Sequence, residues 1–245
     1  MLPQRSLLDI IFPPLCHACR SFIPQAGDLL ICPSCLEKTS FLVSPLCPVC
    51  GVPFATENGV DHFCGECLGR HPGYRTRSSV LFDGPVRDLI HGLKYGNRVH
   101  LAHPLGILTA TALAPFREEA MPDLVIPVPL HRKRLRQRGF NQAQLLAKVL
   151  GKRWRVPVET GNLRRIRWTE PQTTLDAEAR KRNVAGAFEV KKGERVEGKR
   201  VLLVDDVLTT GSTMKECAEA LLEAGAADVV AVTVARGLAG GHPLP

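Results

Sequence analysis

No stretch of 18 apolar residues occurs in the 245-residue chain, and the apolar run from Leu7 to Phe12 is shorter than a signal-peptide core. These absences argue against membrane insertion and secretion, and they point to the cytoplasm, where thiols stay reduced. The pattern GxxxxGK[ST] is also missing, which excludes a Walker-type phosphate loop. Aromatic residues make up only 5% of the chain, and the two tryptophans, Trp154 and Trp168, are too few and too isolated to form a base-stacking platform for nucleic acid.

What the chain does have is unevenly distributed. Eight of its nine cysteines fall between Cys16 and Cys67, all in CxxC pairs: Cys16/Cys19, Cys32/Cys35, Cys47/Cys50 and Cys64/Cys67. Residues 1–75 hold five Lys/Arg against six Asp/Glu, a formal −1, so residues 76–245 carry +9 toward the overall +8. Two domains are expected, a Cys-rich one over 1–75 and an α/β one over 76–245.

A CxxC pair puts two thiolates on one tight turn, and two such turns facing each other make the tetrahedral S4 site that Zn²⁺ prefers. About seventy residues with few large apolar side chains need such staples to fold. Two structural zinc ions are expected. Sequential pairing, Cys16, Cys19, Cys32 and Cys35 on one ion and Cys47, Cys50, Cys64 and Cys67 on the other, is favoured, and an interleaved pairing also fits the spacing. Rubredoxin-like iron or dithiol redox chemistry would use the same pairs. Four thiolates per ion leave no open position for catalysis, and they leave His17, His62 and His71 as surface residues. Eight thiolates and two divalent ions together lower the net charge from +8 to +4.

From Ser79 the pattern is α/β. Strands are predicted at Ser79 to Phe82, Asp123 to Val128, Val156 to Val158, Ala187 to Val190, Val201 to Val204 and Asp228 to Val234. After Pro85, the positions Val86, Leu89, Ile90 and Leu93 share one helical face. Further helices are predicted over Leu105 to Phe116, Phe140 to Leu150 with Asn141 near its cap, and Thr213 to Ala224. The segment His131 to Arg138 reads as a basic loop, and Cys217 as a packing residue.

The run Val201-Leu202-Leu203-Val204-Asp205-Asp206-Val207-Leu208-Thr209-Thr210-Gly211-Ser212-Thr213 carries the chemistry. An unbroken apolar strand suits a parallel sheet covered on both faces, and ligands sit at the C-terminal edge of such sheets. Thr209, Thr210, Gly211, Ser212 and Thr213 would ring a phosphate at a helix N-terminus, with Gly211 permitting close backbone approach. Asp205 and Asp206 repel phosphate but can accept hydrogen bonds from ribose hydroxyls and lie near a Mg²⁺ bridging sugar and pyrophosphate. Receiver domains also carry paired aspartates after a strand, and the hydroxyl-Gly-hydroxyl turn separates this run from them.

This run resembles the signature of type I phosphoribosyltransferases, which bind phosphoribosyl pyrophosphate (PRPP). The resemblance implies that the basic segment after the second predicted strand, with Arg132, Lys133, Arg134 and Arg138, meets the pyrophosphate. A solvated basic face, or a footprint for a nucleic-acid backbone, fits the same composition. It further implies that the polar stretch from Leu163 to Arg180, with Arg165 and Gln172 as catalytic contributors, closes over PRPP and excludes water.

Pro127-Val128-Pro129-Leu130-His131, Arg138-Gly139-Phe140-Asn141-Gln142-Ala143, Leu93-Lys94-Tyr95 and the segment Arg180 to Phe188, together with the Cys-rich N-terminus, resemble the ComF family. These are zinc-ribbon phosphoribosyltransferase-like proteins linked to bacterial DNA uptake, and the likeness covers essentially the whole chain. It implies phosphoribosyl transfer from Mg-bound PRPP to an acceptor that no hood signature names. The chain lacks room for a glutaminase domain. A non-catalytic module that senses PRPP or a nucleotide, or binds single-stranded DNA within the uptake machinery, is the competing expectation. Nothing in the composition assigns an oligomeric state.

Overall fold

The computed structural model describes residues 13–24, 27–56, 59–69, 72–168 and 186–238. Its centre is a parallel sheet of four strands in the order β1-β6-β5-β2, with β1 at Arg75–Leu81, β2 at Leu124–Pro127, β5 at Arg200–Leu208 and β6 at Asp228–Arg236. The two middle strands read as continuous apolar runs because both of their faces are covered.

Side chains alternate across that sheet with the period of two of an extended chain. Leu202, Val204, Val230 and Val232 enter one core, and Val201, Leu203, Val229 and Ala231 enter the other. The first core is closed by α3 (Gly84–Tyr95), α4 (Ala102–Ala112) and α7 (Gln142–Trp154), the second by α8 (Ser212–Glu223). Helix α3 buries Val86, Leu89, Ile90 and Leu93, the face that its sequence spacing predicts. Burying each such side chain fully contributes about 1.5–3 kcal/mol, so these stripes hold the layers together.

Two short helices, α1 (Pro33–Glu37) and α2 (Gly65–Gly69), lie in the Cys-rich part. That part is packed onto the sheet. Cys16, Ile23, Ile31, Cys32 and Cys35 belong to the first core, while Cys47, Val49 and Cys67 form a small cluster of their own. The segment between the two ribbons runs antiparallel along the outer edge of β1, with Leu42 N–H donating to Ser79 O at 3.0 Å and Leu81 N–H to Ser40 O at 2.8 Å.

Several expectations need correcting. The apolar segment 201–204 is only the front of β5, which continues through Leu208, so both aspartates lie within the strand. The helix expected over Leu105 to Phe116 is two, α4 and α5 (Ala114–Ala120), broken at Leu113, with Pro115 in the first turn of the second. Val158 makes only an isolated bridge to Val125. Phe188–Val190, β4, pairs antiparallel with Leu163–Arg165, β3, in a separate hairpin rather than in the main sheet. The supposed basic loop is a helix, α6 (Arg132–Arg138), ended by Gly139 in the left-handed region at φ 81°. Tertiary context decides each case, since short polar or apolar runs carry no readable period.

Helix α7 approaches the chain beyond it at Gly151, where an added Cβ would stand 2.3 Å from Val158 Cγ2 and 2.8 Å from Val156 O. Gly151→Ala is expected to cost about 1–3 kcal/mol through overpacking, read as a lower urea midpoint at unchanged slope.

Candidate functional site

The two carboxylates near the end of β5 sit in different surroundings because neighbouring strand residues point to opposite faces. Asp206 is 3% exposed, while Asp205 is half-buried and accepts the Asp206 N–H on Oδ1 at 2.8 Å. Lys94, at the end of α3, places Nζ 2.6 Å from Asp206 Oδ2. Burial opposes charge on both partners, yet the ammonium lowers the Asp206 pKa and the carboxylate raises that of Lys94. Burial and then the Asp206 charge push Asp205 the other way, well above the usual carboxylate range. One acid is thus held ionised and its neighbour is biased toward the protonated form.

After Leu208 the chain turns into α8. Gly237 N–H donates to Leu208 O at 2.8 Å, and the Thr210 and Ser212 hydroxyl oxygens stand 3.0 Å apart. Gly211 has φ 74°, a left-handed conformation that suits glycine, and the Tyr74 hydroxyl donates to its carbonyl at 3.4 Å. The N-terminus of this 12-residue helix and the hydroxyl side chains together make an anion-accepting end.

A cleft of about 850 Å³ joins these parts. Asp205, Asp206, Thr209 and Thr213 line one side, and Arg134, Gln137 and Arg138 of α6 line another. Lys94, Tyr95, His91, Asn97, Gln142 and Arg165 add to its polar lining. Because the basic segment is helical, its cations are dealt to different sides. Arg134 and Arg138, one turn apart, enter this cleft, whereas Arg132 lines a neighbouring cleft of about 520 Å³ and Lys133 stands over the Trp168 ring at 5.5 Å.

Local caps hold both α6, through His131, and the helix after it, α7, through Asn141. His131 Nδ1 accepts the Lys133 N–H at 3.3 Å, and Asn141 both accepts from Ala143 N–H and donates to Val128 O, each at 3.0 Å. Arg138 donates to Gln142 Oε1 at 2.6 Å with its guanidinium 5.6 Å from the centre of the Tyr95 ring. Burial, then the nearby Arg165, Lys133 and Arg132 charges, lower the His131 pKa, a sign of the positive potential on this side. Arg165 lines both clefts, against the Phe188 ring at 5.4 Å. Gln172 and most of the expected closing stretch lie outside the described residues, and Cys217 is packed at 0% exposure in the second core.

Lys94, Tyr95 and Gln142 are site residues that pattern reading did not select. The signal for Lys94 was present, since it falls four residues after Ile90 on the apolar stripe of α3, where a lysine is out of place unless it has a partner.

The cysteines form two clusters, Cys16, Cys19, Cys32 and Cys35, and Cys47, Cys50, Cys64 and Cys67, with the sulfurs of each within 4.8 Å of one another. The pairing is sequential. The contacts Cys19 Sγ to Cys32 Sγ at 3.5 Å and Cys50 Sγ to Cys64 Sγ at 3.6 Å are close to the roughly 3.8 Å edge of a tetrahedron with about 2.3 Å Zn–S bonds. The Ser21 hydroxyl and backbone lower Cys19 to about 6, and against burial the backbone N–H groups of Cys64 and Cys50 lower Cys47 to about 6. Burial raises Cys35 and Cys67. Four clustered thiols cannot all ionise without a cation among them, and both sets fit a structural zinc ion. Arg236 Nη1 donates to Cys50 O at 2.6 Å and Arg77 Nη1 to Pro48 O at 3.1 Å, which ties the second ribbon to β6 and β1.

Comparison with known proteins agrees with this architecture. A family model for a double zinc ribbon domain matches residues 7–68, and one for a phosphoribosyl transferase domain matches residues 135–244. The chain is therefore a double zinc ribbon joined to a phosphoribosyltransferase-like domain. It is 37% identical over 222 residues to the DNA utilization protein YhgH of Escherichia coli K12, spanning 89% of this chain and 94% of that one. It is 31% identical to competence protein F of Haemophilus influenzae over 90% and 96% of the two chains, and 26% identical to competence protein ComFC of Bacillus subtilis over 85% of each. The protein belongs to the ComF family. No single described helix is long and apolar enough to cross a membrane.

Elemental analysis of the purified chain is expected to give two zinc per molecule. Cys32→Ser and Cys64→Ser are each expected to give close to one, with lowered thermal stability, because structural zinc supplies folding energy.

Proposed function

We propose that this protein binds PRPP in the cleft at the end of β5 and transfers its phosphoribosyl group to an acceptor. One observation carries this: Asp205, Asp206, Thr209 and Thr213 line a single cleft together with Arg134 and Arg138. The turn from Thr209 to Thr213, with Thr210, Gly211 and Ser212 between, takes the 5-phosphate. Asp205 and Asp206 accept hydrogen bonds from the ribose hydroxyls. Arg134 and Arg138 take the pyrophosphate, with Arg165 lining the same cleft, and Gln172, which lies outside the described residues, is assigned to catalysis on the family resemblance alone.

The acceptor's lone pair attacks the anomeric carbon while the bond to pyrophosphate oxygen breaks, and that electron pair leaves with pyrophosphate. Positive charge building on the sugar faces the ionised Asp206, and negative charge building on the leaving group faces the arginines. Positioning and electrostatics suffice, and no side chain need act as a nucleophile. The acid pair does not fit a protein-held Mg²⁺, because the Lys94 ammonium already stands at 2.6 Å from Asp206. Magnesium belongs here only as the counter-ion that pyrophosphate brings. Clusters of reduced thiols suit the cytoplasm.

A non-catalytic module that senses PRPP or binds single-stranded DNA is favoured by a different observation. The second cleft, next to the first, is lined by His131, Arg132 and Arg164, and relatives are named for DNA utilization and competence.

Pyrophosphate release from PRPP across candidate acceptors separates the two. Turnover that falls about 100-fold or more in Asp206→Asn supports the transferase, whereas salt-sensitive single-stranded DNA binding with no turnover supports the adaptor. Replacing Arg134 and Arg138 by Ala should weaken PRPP binding about 100-fold, and replacing Arg132 and Lys133 should change it by less than about threefold. Equal losses in the two double variants, measured calorimetrically, would remove the pyrophosphate assignment.

A further inference from the structure

Lys94 is a long cationic side chain enclosed among the groups that line the cleft. Its side chain is 19% exposed and that of Asp206 4%, and the two meet at 2.6 Å. Lysine is seldom buried without a task, and this one stands at the end of α3 directly after Leu93, a fully buried anchor. Its stem is therefore already fixed before any ligand arrives. The Asp205 carboxyl group and Tyr95 act on Lys94, and Arg138 adds a second positive charge acting on Asp206. Lys94 and Arg138 act on Asp206 and Arg165 acts on Asp205, so a divalent ion at the acids is opposed by resident positive charge.

We propose that Lys94 is the built-in cation of the acid pair, so that 5-phosphorylated ribosides are held by Asp205, Asp206 and the turn at Thr209 to Thr213 without a metal ion. The inference rests on the phosphoribosyl reading of the cleft. Lys94 acts as a positioning residue: it keeps Asp206 an acceptor for the ribose hydroxyls and leaves dependence on magnesium to the pyrophosphate alone.

Ribose 5-phosphate, which has no pyrophosphate, separates these contributions. Calorimetric titrations use the zinc-loaded full chain in buffer freed of other divalent ions by a chelating resin, with zinc content checked afterwards, and again with millimolar magnesium. The wild type is expected to bind equally, within about twofold, in both buffers. Lys94→Gln should bind about tenfold more weakly without magnesium and recover with it, because an unbalanced acid pair is itself a divalent-ion site, and Lys94→Arg should stay near the wild type. A wild type that loses about tenfold on magnesium removal overturns the proposal. So does a Lys94→Gln protein that binds normally in both buffers, or one weakened equally in both, since that marks a purely structural ion pair. Should Lys94→Gln not fold, the wild type and Lys94→Arg in the two buffers still decide. If neither ribose 5-phosphate nor PRPP binds at all, the phosphoribosyl reading falls and this inference with it; PRPP binding alone, without ribose 5-phosphate, removes only the inference.

Discussion

A carboxylate near the end of a strand that is hydrogen-bonded on both edges and covered on both faces stays ionised only if a cation is set against it. That constraint organises this protein. The apolar run of β5 fixes Asp206 at the sheet's ligand edge, and α3 must then deliver Lys94 to it. The helix can do so because its stripe from Val86 to Leu93 is sunk in the core. The same strand leads straight into the turn at Gly211, so the acidic and the anion-accepting halves of the cleft share one rigid support. Function and fold meet in a single element.

Much of this was legible in the order of residues. The apolar strand, the acid pair and the hydroxyl turn are contiguous, so their proximity needed no knowledge of tertiary structure. The CxxC pairs are equally local, and their sequential pairing follows the chain. What escaped was of two kinds. Helix α6 is seven residues of almost wholly polar side chains, so nothing periodic marks it as a helix, and its winding separates cations that look equivalent on paper. The Lys94 contact joins residues far apart in the chain, and only the packing of α3 against the sheet shows it, although the lysine's place on an apolar stripe was a clue.

The zinc ribbons are built into the sheet rather than hung from it. The first shares a core with α3, and the second is clamped by Arg236 at the end of β6, directly opposite Leu208 in the strand register. The second cysteine cluster, at one end of the molecule, therefore braces the strand end from which the turn at Gly211 departs. Tyr74, between the second ribbon and β1, reaches the Gly211 carbonyl and adds a second strut along the same path.

The inter-ribbon segment along β1 has its own consequence. Ser40 and Leu42 engage the outer rim of β1, Val49 O accepts from Thr76 N–H on the same side, and at the far rim Val125 exchanges hydrogen bonds with Pro157 and Glu159. Both borders of the sheet are thus already occupied by the protein's own backbone. Strand addition to the main sheet would therefore have to displace those backbone contacts, which protects its margins from edge-to-edge pairing with another chain.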